Sequence, residues 1–261
     1  MDMAEITPDI QAPPGSLPTP TRLEKRPKGR PAKVVPLHGD TVKVLVWELP
    51  IRIFHWINAL AIIVLMVTGI YIGNPFVSPT VPEEASYSYL MGWVRIIHFV
   101  AAFIFTLNWL FRLYWILWGN RYSVANPLKK SFWTGLYETL KFYLFLKNKK
   151  PHYLGHNPMA QLTYWLLGVA SLVMVLTGFY MFFEPQPESF LGSLFAWVPY
   201  LFGNSFLIRS WHHLVAWFFM IFLIAHVYLA IREDYLSRNG TMSSIFTGYK
   251  IEPKDHVTGE D

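Results

Sequence analysis

Four long apolar runs divide the chain, extending from about Leu49 to Ile72, Tyr89 to Trp118, Met159 to Phe183 and Arg209 to Arg232. A helix needs about 20 mostly apolar residues to cross a hydrocarbon layer about 30 Å thick, so each run is long enough to span a membrane. Pro50 suits the first turn of the first run, where its missing N–H costs nothing. The second run is long for a span and is expected to tilt or protrude. Between the second and third, SFWTGLYETLKFYLFL (Ser131 to Leu146) sets aromatic and aliphatic residues beside sparse charges. That pattern predicts a helix lying in the inner headgroup region. The fold class expected is therefore an all-α membrane protein: a four-transmembrane-helix bundle with an amphipathic interfacial helix between spans 2 and 3. The first and third runs also end alike, VTGIY at Val67 to Tyr71 and LTGFY at Leu176 to Tyr180, a weak echo at an offset of 109 residues.

Composition supports the same class. Of 261 residues, 53% are hydrophobic and only 15% charged, too apolar for an ordinary soluble domain. The formal charge of +5 is not the footprint of a nucleic-acid binder, because the basic residues sit in loops and termini beside the apolar runs. The loops at about 73–89 and 184–208 carry no Lys or Arg. The 119–157 loop carries Arg121, Lys129, Lys130, Lys141, Lys147, Lys149 and Lys150. By the positive-inside rule both termini and the 119–157 loop are cytoplasmic. The segment before the first span contains Pro13, Pro14, Pro18, Pro20, Pro27, Pro31 and Pro36 among Lys and Arg, and is expected to be unstructured. It has no apolar stretch resembling a cleavable signal peptide.

The chain has no cysteine. This excludes disulfides, thiolate-held iron–sulfur clusters and covalent haem attachment through a C-x-x-C-H motif. Histidine is left as the main metal ligand, and the spans contain His55, His98, His212, His213 and His226. An ionisable residue inside a span is a functional hypothesis by default. His212 and His226, fourteen residues apart, fall about 40° short of four full turns, on one face and about 21 Å apart along the axis. His213 lies about 140° off that stripe and is read as a neighbour. With the topology above, His98 and His212 share the outer depth, and His55 and His226 the inner depth.

Four-helix bundles hold cofactors between facing helices. Two imidazoles from opposite sides complete the coordination of an iron whose equatorial positions a porphyrin fills. Two b-type haems follow, bound without covalent links: the outer iron by His98 and His212, the inner by His55 and His226. Arg52, Arg95 and Arg209 each precede a proposed ligand by three residues near the bilayer surface, where haem propionates need a positive partner; interfacial anchoring is the alternative role. Gly69, fourteen residues after His55, is a candidate for haem packing against the backbone, or for helix packing. His156 and Asn157 lie just before the third span on the basic side, and Asn157 before Pro158 reads as a helix N-cap. The expected division is a disordered proline-rich cytoplasmic tail over 1–45, a four-helix transmembrane di-haem cytochrome b domain over 46–235 and a cytoplasmic C-terminal tail over 236–261.

RIFHWINALAIIVLMVTG (Arg52 to Gly69), RSWHHLVAWFFMIFLIAH (Arg209 to His226) and LGHNPMA (Leu154 to Ala160) closely resemble motifs of the b-type cytochrome subunit of membrane-bound nickel–iron hydrogenases. The likeness covers about 48–235 and leaves the proline-rich tail unexplained. The resemblance implies a multi-pass protein of the bacterial cytoplasmic (inner) membrane. It implies that this subunit anchors the small and large subunits of a periplasmic hydrogenase and passes electrons through two haems to quinone, with His55, His98, His212 and His226 as axial ligands and with His156 and Asn157, at the required depth, as candidate quinone contacts. The hydrogen-activating site would then belong to partner chains, and this chain would be an electron-transfer subunit of a hydrogen:quinone oxidoreductase. Open alternatives are a haem-b subunit of another respiratory complex, of formate dehydrogenase or thiosulfate reductase type, a non-redox membrane anchor, or a transporter with a histidine proton relay.

Overall fold

The computed structural model describes residues 33–36, 40–76, 89–118, 130–144, 146, 158–237 and 240–253. Four long helices dominate: α1 (Leu49–Gly73), α2 (Leu90–Trp118), α4 (Pro158–Phe183) and α7 (Ser205–Ser237). All four are long and apolar enough to cross a membrane. Most of their side chains face outward, as expected of helices whose outer surface is solvated by lipid. Pro50 occupies the first turn of α1. Helix α7 begins four residues before Arg209 and runs five past Arg232, so it extends beyond the expected apolar run at both ends. The helix expected between the second and third spans is α3 (Lys130–Tyr143).

The spans pack as two pairs, α1 with α2 and α4 with α7, and the pairs touch each other sparsely. At mid-bundle one residue from each span meets in a small core of Ala61, Phe105, Ala170 and Phe219. Phe105 and Phe219 meet edge to face, with ring centroids 6.4 Å apart. Nearer the α1 C-terminal end, Phe99 and Phe103 of α2 pack edge-on against Phe182 and Phe179 of α4, at centroid distances of 4.8 and 5.1 Å. The two short helices α5 (Phe190–Phe195) and α6 (Val198–Phe202) form the link between α4 and α7. Ser189 caps α5 by accepting from the Gly192 N–H at 3.0 Å, and Phe195 stacks on Phe179 at 5.4 Å.

At the opposite end, residues expected to be unstructured form a sheet. Strands β1 (Val34–Pro36), β2 (Thr41–Leu45) and β3 (Tyr249–Pro253) run antiparallel in the order β1-β2-β3, with Val42 opposite Glu252 and Val44 opposite Lys250. The tail boundary expected at 45 and the plain C-terminal tail expected after 235 are both corrected here; residues 1–32 and 254–261 lie outside the described residues. The sheet forms because β2 alternates: Val42 and Val44 face inward and join Val46, Trp47 and Ile51 in a core completed by Trp115 and Ile245. Helix α8 (Thr241–Thr247) closes it, with Trp47 Nε1 donating to Ser244 Oγ at 3.1 Å. One sheet therefore ties the segment before α1 and the segment after α8 to the same end of the bundle.

Gly248 is the hinge of this cap. Its carbonyl accepts from the N–H groups of both Val46 and Trp47, at 2.9 and 3.1 Å. Its φ is 90°, and a Cβ there would stand 2.7 Å from the Trp47 carbonyl oxygen. Gly248→Ala is expected to destabilise the cap by about 1–3 kcal/mol. Limited trypsin digestion of the detergent-solubilised protein checks this: cleavage at Lys33 and Lys43 should accelerate while the spans stay intact.

Candidate cofactor sites between the spans

The histidines named from sequence fall into two groups. Near the cap, His55 of α1 and His226 of α7 face each other with ring centroids 6.2 Å apart and planes inclined at 49°. Metal–imidazole bonds of about 2 Å, with about 1 Å more from each ring nitrogen to its ring centre, place two axial imidazoles of one ion about 6 Å apart, centre to centre. The observed spacing fits. Phe222 stacks on His226 at 5.2 Å and Trp56 meets His55 edge-on at 5.1 Å, which limits rotation of both rings. On the same side of α1, Arg52 Nε, His55 Nδ1 and Asn58 Oδ1 are buried without a hydrogen-bond partner among the described residues. Buried polar atoms are normally paired, and a polar cofactor between sparsely packed helices is a natural partner for such a set.

The second group lies toward the other end. His98 of α2 and His212 of α7 are each held by a threonine on a neighbouring span. Thr68 Oγ1 donates to the Val64 carbonyl at 2.6 Å and therefore accepts from His98 Nδ1 at 2.8 Å. Thr177 Oγ1 donates to the Val173 carbonyl at 2.6 Å and accepts from His212 Nδ1 at 2.9 Å. A hydroxyl has one proton, and here the helix carbonyl takes it. Each imidazole must then carry its own proton on Nδ1, which leaves Nε2 with a lone pair for a metal.

The glycine beside each threonine makes the approach possible. A Cβ on Gly69 would stand 3.4 Å from His98 Cε1, and one on Gly178 would stand 3.3 Å from His212 Cε1. Gly69, expected at a haem face, therefore lies directly against the His98 ring. The VTGIY and LTGFY echo is the sequence trace of these two cradles. His213 packs elsewhere: the Cβ position of Gly73 lies 3.1 Å from its Cε1.

The three arginines differ from one another. Arg52 donates through Nη1 to the Phe246 carbonyl, joining α1 to α8. Arg209 pairs with Glu184 at 2.6 Å across the α4–α7 link, a partner the sequence reading did not anticipate and one that competes with the expected propionate contact. Arg95 is exposed. His156 and Asn157, the expected quinone contacts, lie outside the described residues. Sequence reasoning did not assign Asn108 and Arg112 a role at the inner site. Asn108 Nδ2 donates to the Phe54 carbonyl at 3.0 Å, and the Arg112 guanidinium lies 5.7 Å from the Phe54 ring centre. Both fix the residue next to His55, and their signal was the polar character of two positions inside an apolar run.

Two imidazoles are too few for a structural ion, since zinc takes four ligands. Neither pair belongs to a group of three His, Asp or Glu among the described residues. Two is the number that haem iron needs at its axial positions. A four-span bundle that gathers imidazoles from different helices at two levels, one pair facing at 6.2 Å, is, in class, a membrane cytochrome.

Comparison with known proteins narrows the class. Residues 46–248 match the profile of the family described as prokaryotic cytochrome b561. A protein of Cupriavidus necator described as a "Probable Ni/Fe-hydrogenase B-type cytochrome subunit" is 42% identical over 219 residues, covering 81% of this chain and 89% of that protein. One of the same description from Azotobacter vinelandii is 39% identical over 218 residues, covering 81% and 90%. A "Probable Ni/Fe-hydrogenase 1 B-type cytochrome subunit" of Escherichia coli is 39% identical over 232 residues, covering 85% and 97%. The chain belongs to the prokaryotic cytochrome b561 family, whose cofactor is haem b.

The cradle geometry has a direct consequence. Gly178→Val is expected to drive the His212 ring out of place and to lower haem content. Gly168→Val is the control, because a Cβ at Gly168 meets nothing within 4 Å. Pyridine haemochrome assay of both purified variants distinguishes them.

Proposed function

We propose that the chain is the membrane-anchoring di-haem cytochrome b of a nickel–iron hydrogenase, carrying electrons from a periplasmic small subunit across the membrane to quinone. The observation that carries this reading is the His55–His226 pair, facing at 6.2 Å between helices of different pairs, with the cradled His98 and His212 at the other level. The names of the relatives support a hydrogenase partner over a formate dehydrogenase or thiosulfate reductase type. Both ends of the chain joining one sheet, together with the basic 119–157 loop, support cytoplasmic termini. Helix α3, whose Phe142 and Tyr143 rings lie 5.9 and 5.6 Å from the Arg232 guanidinium, is read as the interfacial helix on that side.

Haem b supplies reversible one-electron chemistry when bound. His55 and His226 would hold the inner group, and His98 and His212 the outer. The Ala61, Phe105, Ala170 and Phe219 layer stands between the levels; Phe219 is seven residues from both His212 and His226. A dry apolar layer blocks ions and water, so charge crosses as electrons and not as a proton leak. Arg52 keeps donors beyond its Phe246 contact that could meet a propionate, and Arg95 is open to the same role. His156 and Asn157 remain the proposed hydrogen-bonding contacts for quinone near the inner surface.

The test is haem stoichiometry and partner identity in protein purified from its native membrane. Wild type should carry about two haems per chain and copurify with a nickel-containing partner. His55→Ala and His226→Ala should each lose the inner haem, His98→Ala and His212→Ala the outer, and His213→Ala neither. A molybdenum-containing partner would reject the hydrogenase assignment, and absence of b-type bands in the reduced-minus-oxidised spectrum would reject the electron wire.

A further inference from the structure

The two histidine pairs are supported differently. Both outer histidines give an Nδ1 proton to a threonine hydroxyl, at 2.8 and 2.9 Å. No threonine or serine hydroxyl bonds to His55 or His226 among the described residues, and His55 Nδ1 is buried without a partner. The asymmetry follows from sequence placement: the Thr-Gly unit closes both α1 and α4 at the level of His98 and His212, and neither helix has one at the level of His55 and His226.

An N–H donated from the far side of an imidazole increases the electron density that its other nitrogen offers a metal. A more basic ligand stabilises the ferric over the ferrous state and so lowers the reduction potential of the iron it holds. We propose that Thr68 and Thr177 are positioning residues that fix the Nδ1–H tautomer of His98 and His212 and make the outer site the lower-potential one. This rests on the di-haem reading above. It adds a direction: an electron delivered to the outer ferric site, making it ferrous, is passed on as the inner ferric site becomes ferrous. One electron is lost and one gained, and the exchange runs downhill from the donor side inward.

The threonines have a second effect that must be separated from the first. A threonine that back-bonds to the carbonyl four residues earlier bends its own helix slightly, so Thr→Val could act through helix shape. Thr106 is the control. It makes the same back-bond, to the Ala102 carbonyl at 2.8 Å, and no hydrogen bond to a histidine.

The experiment is an equilibrium redox titration of the full-length, haem-loaded protein, following the visible bands and the low-spin ferric signals by electron paramagnetic resonance. Variants are Thr68→Val, Thr177→Val, the double variant, Thr68→Ser and Thr106→Val. Wild type should titrate as two components. Thr68→Val and Thr177→Val should each shift the lower component to higher potential and leave the upper one in place. The double variant should shift it further, with a changed ferric signal for that component alone. Thr68→Ser, which keeps the hydroxyl, and Thr106→Val should behave as wild type. Loss of one haem in a Thr→Val variant, with retention in Thr68→Ser and Thr106→Val, would also support the positioning role. Equal shifts of both components, a shift of the upper one alone, or none in haem-replete variants would overturn the inference and leave the di-haem reading standing. A wild-type protein without two components would take down both.

Discussion

A polar group in hydrocarbon has no water to turn to, so every imidazole in a span must find its partner inside the protein. The architecture around His98 and His212 follows from this constraint. Each Nδ1–H is accepted by a threonine whose own proton is already committed to its helix backbone, and a glycine beside each threonine admits the ring to the helix surface. The one acceptor left on each imidazole is the nitrogen a metal would use. At the level of His55 and His226 the constraint is not met by the described residues: aromatic neighbours hold the rings, and Arg52 Nε, His55 Nδ1 and Asn58 Oδ1 are buried without a hydrogen-bond partner among them.

The same constraint governs how much could be read from sequence. Four spans were legible because length and hydropathy alone specify a membrane helix, and only their ends differ, α7 most of all. The pairing of His55 with His226 could be expected because the two share a depth and fourteen residues on a helix return nearly to the same face, and the structure brings these two rings to 6.2 Å. The terminal sheet was not. Prolines dominate the segment before it, and β3 turns Lys250 and Glu252 inward while Ile251 is exposed, the reverse of the pattern that a search for a buried apolar face would follow.

The Thr-Gly units were visible as an echo, but their use was not, because the bond that explains them joins residues 30 and 35 positions apart on different helices. The ion pair of Arg209 with Glu184, separated by 25 residues, was hidden for the same reason. Asn108 and Arg112 are polar positions in an apolar run; that both act on Phe54, beside His55, follows only from the packing of α1 on α2.

Helix pairing gives the cofactor sites a second role. Thr68 and His98 belong to the α1–α2 pair, and Thr177 and His212 to the α4–α7 pair, so each half-bundle orients one of these two histidines. His55 and His226, which face each other, come from different halves, as do His98 and His212 at the other level. The halves otherwise meet at the four-residue mid-bundle core and an aromatic seam. Lipid offers little hydrophobic drive to press two such halves together, because a lipid tail is as apolar as the residues it would replace. A ligand that bonds to both halves and to neither alone stabilises their association by its full binding free energy. Two bis-histidine sites, one on each side of the mid-bundle core, would staple the α1–α2 and α4–α7 pairs at two depths. The residues that carry electrons would then be the same ones that hold the bundle closed.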